Sequence, residues 1–383
     1  MRRPANEPLP GAPEPWAPSA IPAFRGRPPY LMSEMIAAEP ALAERLAHRL
    51  AKDEAMDLLT VAIRDAVAAG APILMTGCGT SEHAAMGIAT LLNEALDLPP
   101  GREARSLPAL EALARPTKEG LLIAVSHEGG THVTNEALRA ARAAGARTAL
   151  VTVGRGSPGA GLAEIAVATE EQDQSWCHTV GYLSPLLVGA EVAARLTRSR
   201  LDAIALRALL DGADDPHAAA SIASALATSD RLIVAGSGAD HVTARELALK
   251  VTEGARMPAL ALEVETVLHG YLAAATRWTG LVLVLTRNGP IQERGARLLS
   301  ACLALAVPAA AILSAEVAAT VPAADTPAGR LVLPRMGRMR GAAGPLLGSA
   351  MALHILTERL ARARGVNPDT LGREDSAQAA AHA

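Results

Sequence analysis

The stretch AVSHEGGTHVTNEALRAARAAGARTALVTV, residues 124–153, decides how the chain is read. It leaves an apolar run, turns through Gly129 and Gly130, and continues as an Ala-rich helical segment. A second apolar run, RTALVTV at 147–153, follows Gly145. Strand, turn, helix and strand in this order predict two parallel strands joined by a helical crossover.

The alternation extends in both directions. In the first half, strands are predicted at 72–77, 121–126, 147–153 and 164–169. Helices are predicted near 40–69, 81–96, 131–144 and 179–198. In the second half, strands fall at 231–238, 259–263, 280–286, 309–313 and 330–334. The helices between them lie near 217–228, 241–256, 265–275, 291–306 and 342–363. Near-continuous apolar strands, each followed by a helix, imply an α/β fold with mainly parallel sheets covered on both faces. The two blocks match coarsely, which suggests an internal duplication. RSRLDAIALRALLDGADDPHA, or part of it, is the expected linker. The expected divisions are a Pro-rich arm at 1–29, domains at 30–200 and 201–365, and a tail at 366–383.

Composition narrows the function. The chain has 383 residues, half of them hydrophobic, which is enough for two domains. Net charge is −3, so neither nucleic acid nor an anionic membrane is expected as a partner. No apolar run approaches the ~18 residues of a membrane span. The N-terminus has two arginines but no apolar core of a secretory signal. Cys78, Cys177 and Cys302 are few and far apart, so no disulfide framework or metal site is expected, and a reducing cytoplasm fits. Lysine occurs only at 52, 118 and 250, which limits any imine chemistry to three candidates.

Two turns could hold a ligand. TGCGTSEHAA, 76–85, follows a strand and opens a helix. Gly77 and Gly79 allow a tight turn, and Thr80 and Ser81 offer hydroxyls beside helix N–H groups. A bland capped turn would look the same. The turn lacks the third glycine of a dinucleotide fingerprint, Glu82 standing near that place. The second turn is Ser126, His127, Glu128, Gly129, Gly130, Thr131. Both turns sit at strand C-termini, where open α/β sheets bind ligands. Cys78 reads as small filler, and His83 and His132 as solvent-facing.

These turns resemble the phosphosugar-binding motifs of SIS (sugar isomerase) domains. The whole chain resembles tandem SIS proteins such as the isomerase half of glucosamine-6-phosphate synthase and related deaminases. YLMSEMIAAEP at 30–40, ARELALKVTEGARMPALALEVETVLHGYLA at 244–273 and RGVNPD at 364–369 carry the likeness, which covers roughly 30–370. The resemblance implies that Gly79, Thr80, Ser81, Ser126, Gly129, Gly130 and Thr131 frame a sugar phosphate. It implies that Glu253 moves a proton between C1 and C2 and that Lys250 lies beside it. His269 matches a ring-opening histidine that reaches in from a neighbouring subunit, so a homodimer is expected. His127 and Glu128 depart from the pattern, which has Gln and a phosphate-binding Ser there. The family's tail lysine is also missing, Ser376 standing near its place. The segment around Trp176, Cys177 and His178 borders the sugar in the family, although a loop tryptophan packed on the core would look alike.

Spacing speaks independently. Glu246, Lys250 and Glu253 share one helix face. That face is either an exposed salt-bridged stripe or a base kept ionised by its lysine. Glu265 lies four residues before His269 and could orient it. Glu263 is given no role. The expected function is isomerisation or deamination of a sugar phosphate or amino sugar, without metal or organic cofactor. A fructosamine-phosphate deglycase and a sugar-phosphate-binding regulator are the alternatives.

Glu128 leaves one question open. An unpaired carboxylate within ~4 Å of a phosphate costs about a kcal/mol or more even when screened. Either it points away, or His127 or an arginine offsets it, or the ligand carries no phosphate there.

Overall fold

The computed structural model describes residues 25–335, 339 and 341–381. Most of the expected N-terminal arm, 1–24, lies outside them. The first half runs α1 (Leu31–Leu50), α2 (Glu54–Ala69), β1 (Ile73–Gly77), α3 (Thr80–Leu96), β2 (Arg105–Pro108), α4 (Ala109–Ala114), β3 (Leu121–Val125), α5 (His132–Ala143), β4 (Arg147–Thr152), β5 (Ile165–Ala168) and α6 (Val180–Leu196). The second half runs α7 (Ala203–Ala213), α8 (Pro216–Leu226), β6 (Arg231–Ala235), α9 (Ala239–Ala255), β7 (Ala259–Leu262), α10 (Val264–His269), β8 (Thr279–Leu285), α11 (Pro290–Ala304), β9 (Ala309–Ser314), α12 (Ala315–Ala318), β10 (Gly329–Leu333) and α13 (Ala343–Ala363). A short helix, α14 (Ser376–Ala381), ends the tail.

Each half builds one five-stranded sheet, with every described strand pair parallel. The orders are β2-β1-β3-β4-β5 and, taken from the matching edge, β7-β6-β8-β9-β10. Strand for strand these are the same topology, as an internal duplication requires. β3, β8 and β9 have no exposed residue, because helices cover both faces. One continuous apolar cluster joins the halves and takes side chains from α1, α2, α3, α6, α7, α8, α9 and α13. The outer faces carry separate clusters, around α5 in the first half and around α10 and α11 in the second.

Three boundaries differ from expectation. The helix expected near 40–69 is two helices. α1 begins at Leu31 and continues through Pro40, and Asp53 caps α2 by accepting from the Ala55 N–H. The expected linker contains α7, which Asp202 caps in the same way. β2 had no counterpart in the sequence pattern. It is a four-residue strand at the sheet edge, partly exposed and ending in proline.

The duplication is sharpest in the first turn of each half. Gly79 has φ 56° and ψ −125°, and Gly238 has φ 61° and ψ −128°. Only glycine takes such angles without strain. Gly77 and Gly236 lie against the helix that each turn opens. A Cβ on Gly77 would stand 2.6 Å from the Ser81 backbone, and one on Gly236 2.5 Å from that of Asp240. Gly77→Ala should therefore lower unfolding free energy by about 1–3 kcal/mol, the usual cost of forcing an atom into packed structure. Gly161→Ala, with nothing within 4 Å, should leave the urea midpoint unmoved.

Candidate active site

β1 and β3 are neighbours, so their turns emerge side by side. Cys78 Sγ lies 3.6 Å from Thr134 Oγ1 and links them. In the first turn Thr80 is buried and Ser81 half-buried. In the second, the Ser126 hydroxyl donates to Thr131 Oγ1 at 3.3 Å. Gly129 is pinned through its carbonyl, which accepts from Asn135 Nδ2 at 3.1 Å and from the Gly159 N–H at 2.8 Å. Gly130 and Thr131 are exposed, and Thr131 precedes α5 without a side-chain cap bond. The first-turn N–H groups of α5 therefore lack a side-chain acceptor from their own cap, the usual setting for anion binding.

The matching site of the second half is closed. Asp240 stands where Ser81 stands in the first. Its carboxylate accepts from the Thr286 N–H at 2.9 Å and from the Thr286 hydroxyl. The side chain is buried, and the pair fills the space between the two second-half turns.

The second half reaches that cleft through α9. Leu249 would stand 3.8 Å from a Cβ on Gly79, and the Lys250 carbonyl lies 3.9 Å from Cys177 Sγ. The charged stripe of α9 is not a solvated face. Glu246 is fully buried, and the Lys250 side chain is 1% exposed. Lys250 Nζ donates to Glu253 Oε2 at 2.7 Å and stands 3.7 Å from Glu246 Oε1. Burial disfavours the Lys250 ammonium, but Glu253 and Glu246 outweigh it and raise the pKa. Burial likewise pushes Glu246 up, and Lys250 and His83 more than reverse it. The Glu253 side chain is 27% exposed at the end of this chain of charges.

His83 was expected to face solvent. It is buried, and its Nδ1 lies 2.7 Å from Glu246 Oε2 across the boundary between the halves. The signal available in sequence was its place four residues before Gly87, on the buried face of α3. His132 is exposed, as expected.

The segment from Glu170 to Thr179 roofs the second turn. Asp173, buried, accepts from the N–H groups of Ser175, Thr179 and Gly181 at 3.2, 2.6 and 3.1 Å. Burial holds its pKa up at about 6 despite these bonds. The Asp173 N–H donates to His127 Nε2 at 2.9 Å. His127 is therefore neutral, and burial takes its pKa down to about 4. It cannot offset the charge of Glu128. His178 packs beside it, ring centroids 4.9 Å apart, and burial lowers its pKa too. Cys177 is buried, which pushes its thiol up. Trp176 is half-buried, with the Arg373 guanidinium 4.3 Å from its ring centroid. Glu128 is half-buried and accepts from Gln172 Nε2 at 3.4 Å. Burial raises its pKa, while Gln172 and the charge of Arg373 draw it back. Sequence gave no warning of Gln172, Asp173 or Arg373.

His269 stands apart. It is 77% exposed, and its Nε2 lies 3.1 Å from Glu265 Oε2, which Arg294 also holds. Its helix α10 belongs to the outer apolar cluster, not to the one containing α9. Glu263 caps α10 through the Glu265 and Thr266 N–H groups. Among the described residues no cluster of His, Cys, Asp and Glu could hold a metal ion, and no helix is long and apolar enough to cross a membrane. A cavity of about 720 Å³ lies elsewhere, between residues such as Ala47, Leu91, Thr197 and Leu201. Its lining is largely alanine and includes none of these groups.

Residues 69–190 match the family described as SIS domain. The chain is 30% identical over 277 residues to a glutamine–fructose-6-phosphate aminotransferase (isomerizing) from Halobacterium salinarum. That match covers 66% of this chain and 45% of the relative, so the chain spans about half of the relative's length. Among solved structures it resembles the C-terminal domain of the glucosamine-fructose-6-phosphate aminotransferase from Francisella tularensis, with a TM-score of 0.77 at 20% identity. That likeness covers 91% of this chain and 99% of the other. It also resembles tagatose-6-phosphate ketose/aldose isomerase from Escherichia coli, with a TM-score of 0.72 at 19% identity over 89% and 95% of the two chains. At these identities the structures establish a shared fold.

His127 gives a pH test. Its folded pKa lies below the ordinary value of 6.5. Its contribution to stability is therefore complete above about pH 6.5 and is lost as pH falls toward 4. Urea unfolding across that window should weaken with acid in the wild type. His127→Gln, which can still accept a hydrogen bond, should lessen the dependence and leave the part that belongs to His178, whose pKa burial also lowers. An equally steep variant would show that His127 is not the group responsible.

Proposed function

We propose that this protein, a tandem SIS-domain chain, is an aldose–ketose isomerase or deaminase of a sugar phosphate or amino sugar. One observation carries the reading. Glu246, Lys250 and Glu253 form one row of charges in which only Glu253 is partly exposed, on a helix whose Leu249 stands 3.8 Å from a Cβ placed on Gly79 of the first turn.

The chemistry needs a base that is ionised, positioned and close to a carbon acid. The Lys250 ammonium donates to Glu253 Oε2 at 2.7 Å and fixes the direction of the carboxylate. Ser81, Ser126 and Thr131 hold the sugar, with the backbone of Gly79, Thr80, Gly129 and Gly130 shaping the turns. Glu253 takes the proton from C2 of the open-chain aldose and returns it to C1 through an enediol or enolamine. The reverse direction uses the same groups. His269 assists ring opening, with Glu265 orienting it. Because His269 is exposed and its helix packs in a different apolar cluster from α9, we assign it to the cleft of a second copy in a homodimer. All three cysteines are free, which is compatible with work in the cytoplasm.

Exchange of the C1 and C2 hydrogens of fructose 6-phosphate or glucosamine 6-phosphate in heavy water reads the central step. Glu253→Gln should slow it by about 10²–10⁴, the usual worth of a positioned base, while thermal-shift binding survives. Undiminished exchange would remove Glu253 from the mechanism. Mixing inactive Glu253→Gln with inactive His269→Ala should restore part of the activity, since a heterodimer has one intact cleft. No recovery after subunit exchange would place His269 outside the partner's cleft.

A further inference from the structure

Arg373 is a cation without a counterion. Among the described residues it makes no ion pair, and its Nε is buried without a hydrogen-bond partner. The neighbouring acid, Glu374, is engaged by Arg256. Trp176 holds the guanidinium face at 4.3 Å, but a ring face accepts none of its five N–H donors. A partly buried guanidinium lacking an acceptor is costly. The arrangement therefore has room for an acceptor from outside the protein.

The charges around it indicate which kind. Trp176, on which Arg373 lies, belongs to the segment that roofs the second turn through the Gln172–Glu128 and Asp173–His127 hydrogen bonds. His127 is buried and neutral there, and burial also lowers the pKa of the half-buried His178. The Asp173 charge is absorbed by three backbone N–H groups. Glu128 keeps its Oε1 on Gln172 and makes no bond to Arg373. Glu128 and Arg373 then oppose each other, and the Lys250 ammonium adds a positive charge that acts on Asp173 and His178. With the N-terminus of α5 beside them, the site favours an anion. Without Arg373 the carboxylate of Glu128 would face that anion with less opposition.

Resting on the isomerase or deaminase reading of this cleft, we propose that Arg373 is the ligand's anion contact. Its guanidinium, laid on Trp176 beside the Ser126–Thr131 turn, receives the terminal phosphate or carboxylate of an acidic sugar and compensates for Glu128. A guanidinium suits both anions, because two parallel N–H groups match two oxygens of either. The C-terminal tail thereby supplies binding specificity from outside both sheets.

Binding of fructose 6-phosphate, glucuronate and unphosphorylated fructose to the full chain, by calorimetry at low salt, tests this. The wild type should prefer one of the two acids over fructose by at least about tenfold, and the preferred acid tells phosphate from carboxylate. Arg373→Met should abolish that preference while fructose binding changes little, and Arg373→Lys should restore part of it. Glu128→Gln should strengthen binding of the acid. Melting temperatures close to wild type would show that the variants are folded. An Arg373→Met chain that keeps the preference overturns the proposal, and so does a wild type that binds fructose as well as the acids. Loss of exchange in Glu253→Gln would still stand in either case, so the two failures are distinguishable. Absence of binding to all three probes would count against both.

Discussion

The structure depends on keeping an ammonium buried between two carboxylates at the junction of two domains. Isolated, any one of Glu246, Lys250 and Glu253 would be expensive to remove from water. Together they support one another, but only if the surroundings exclude water and supply the remaining hydrogen bonds. His83 does so for Glu246 from the opposite half. α3 and α9 must therefore pack in a fixed register, which fixes the first-half turns relative to the second-half carboxylate. Breaking such a pair by removing one partner leaves an uncompensated charge and costs about 3–5 kcal/mol. The interdomain packing and the proposed chemistry thus rest on the same contacts.

Duplication explains why there is one cleft and not two. Both halves carry a strand ending in glycine, a turn with nearly equal Gly79 and Gly238 angles, and a helix packed against the strand end. In the first half the residue after that turn's Thr80 is Ser81, a neutral hydroxyl. In the second it is Asp240, which binds Thr286 and leaves no free group for a ligand. The closed turn still has use. It rigidifies the start of α9, whose other end presents Glu253. In the proposed function one copy of the fold holds the ligand and the other aims the base.

Most of this was legible in the sequence. Nine of the ten strands follow apolar runs, because sheets covered on both faces leave little choice of residue. β2 escaped because an edge strand of mixed polarity carries no such run. The α1–α2 break escaped because the sign of a helix start, Asp53 with its cap bond, lay inside a continuous helical pattern. In the cleft, Ser81, Ser126, Thr131, Lys250 and Glu253 stood in recognisable turns and helix spacing. Whether the α9 stripe was wet or dry was not legible, since burial is set by the second domain packing on the first. His83 and Arg373 escaped for the same reason. Their partners lie 163 residues away in Glu246 and far back in Trp176, and no local pattern reports such contacts.

The lysine inventory constrains the chemistry further. An imine with a sugar carbonyl needs a neutral amine beside the substrate. Lys52 and Lys118 are exposed residues of the first half that belong to neither turn. Lys250 is in place but is buried between carboxylates that raise its pKa, so its nitrogen stays an ammonium with no lone pair to attack. The arrangement that makes Lys250 a good support for Glu253 makes it a poor nucleophile. A carboxylate that moves a proton between adjacent carbons needs no covalent adduct, so the proposed route agrees with the charges of α9 where an imine does not.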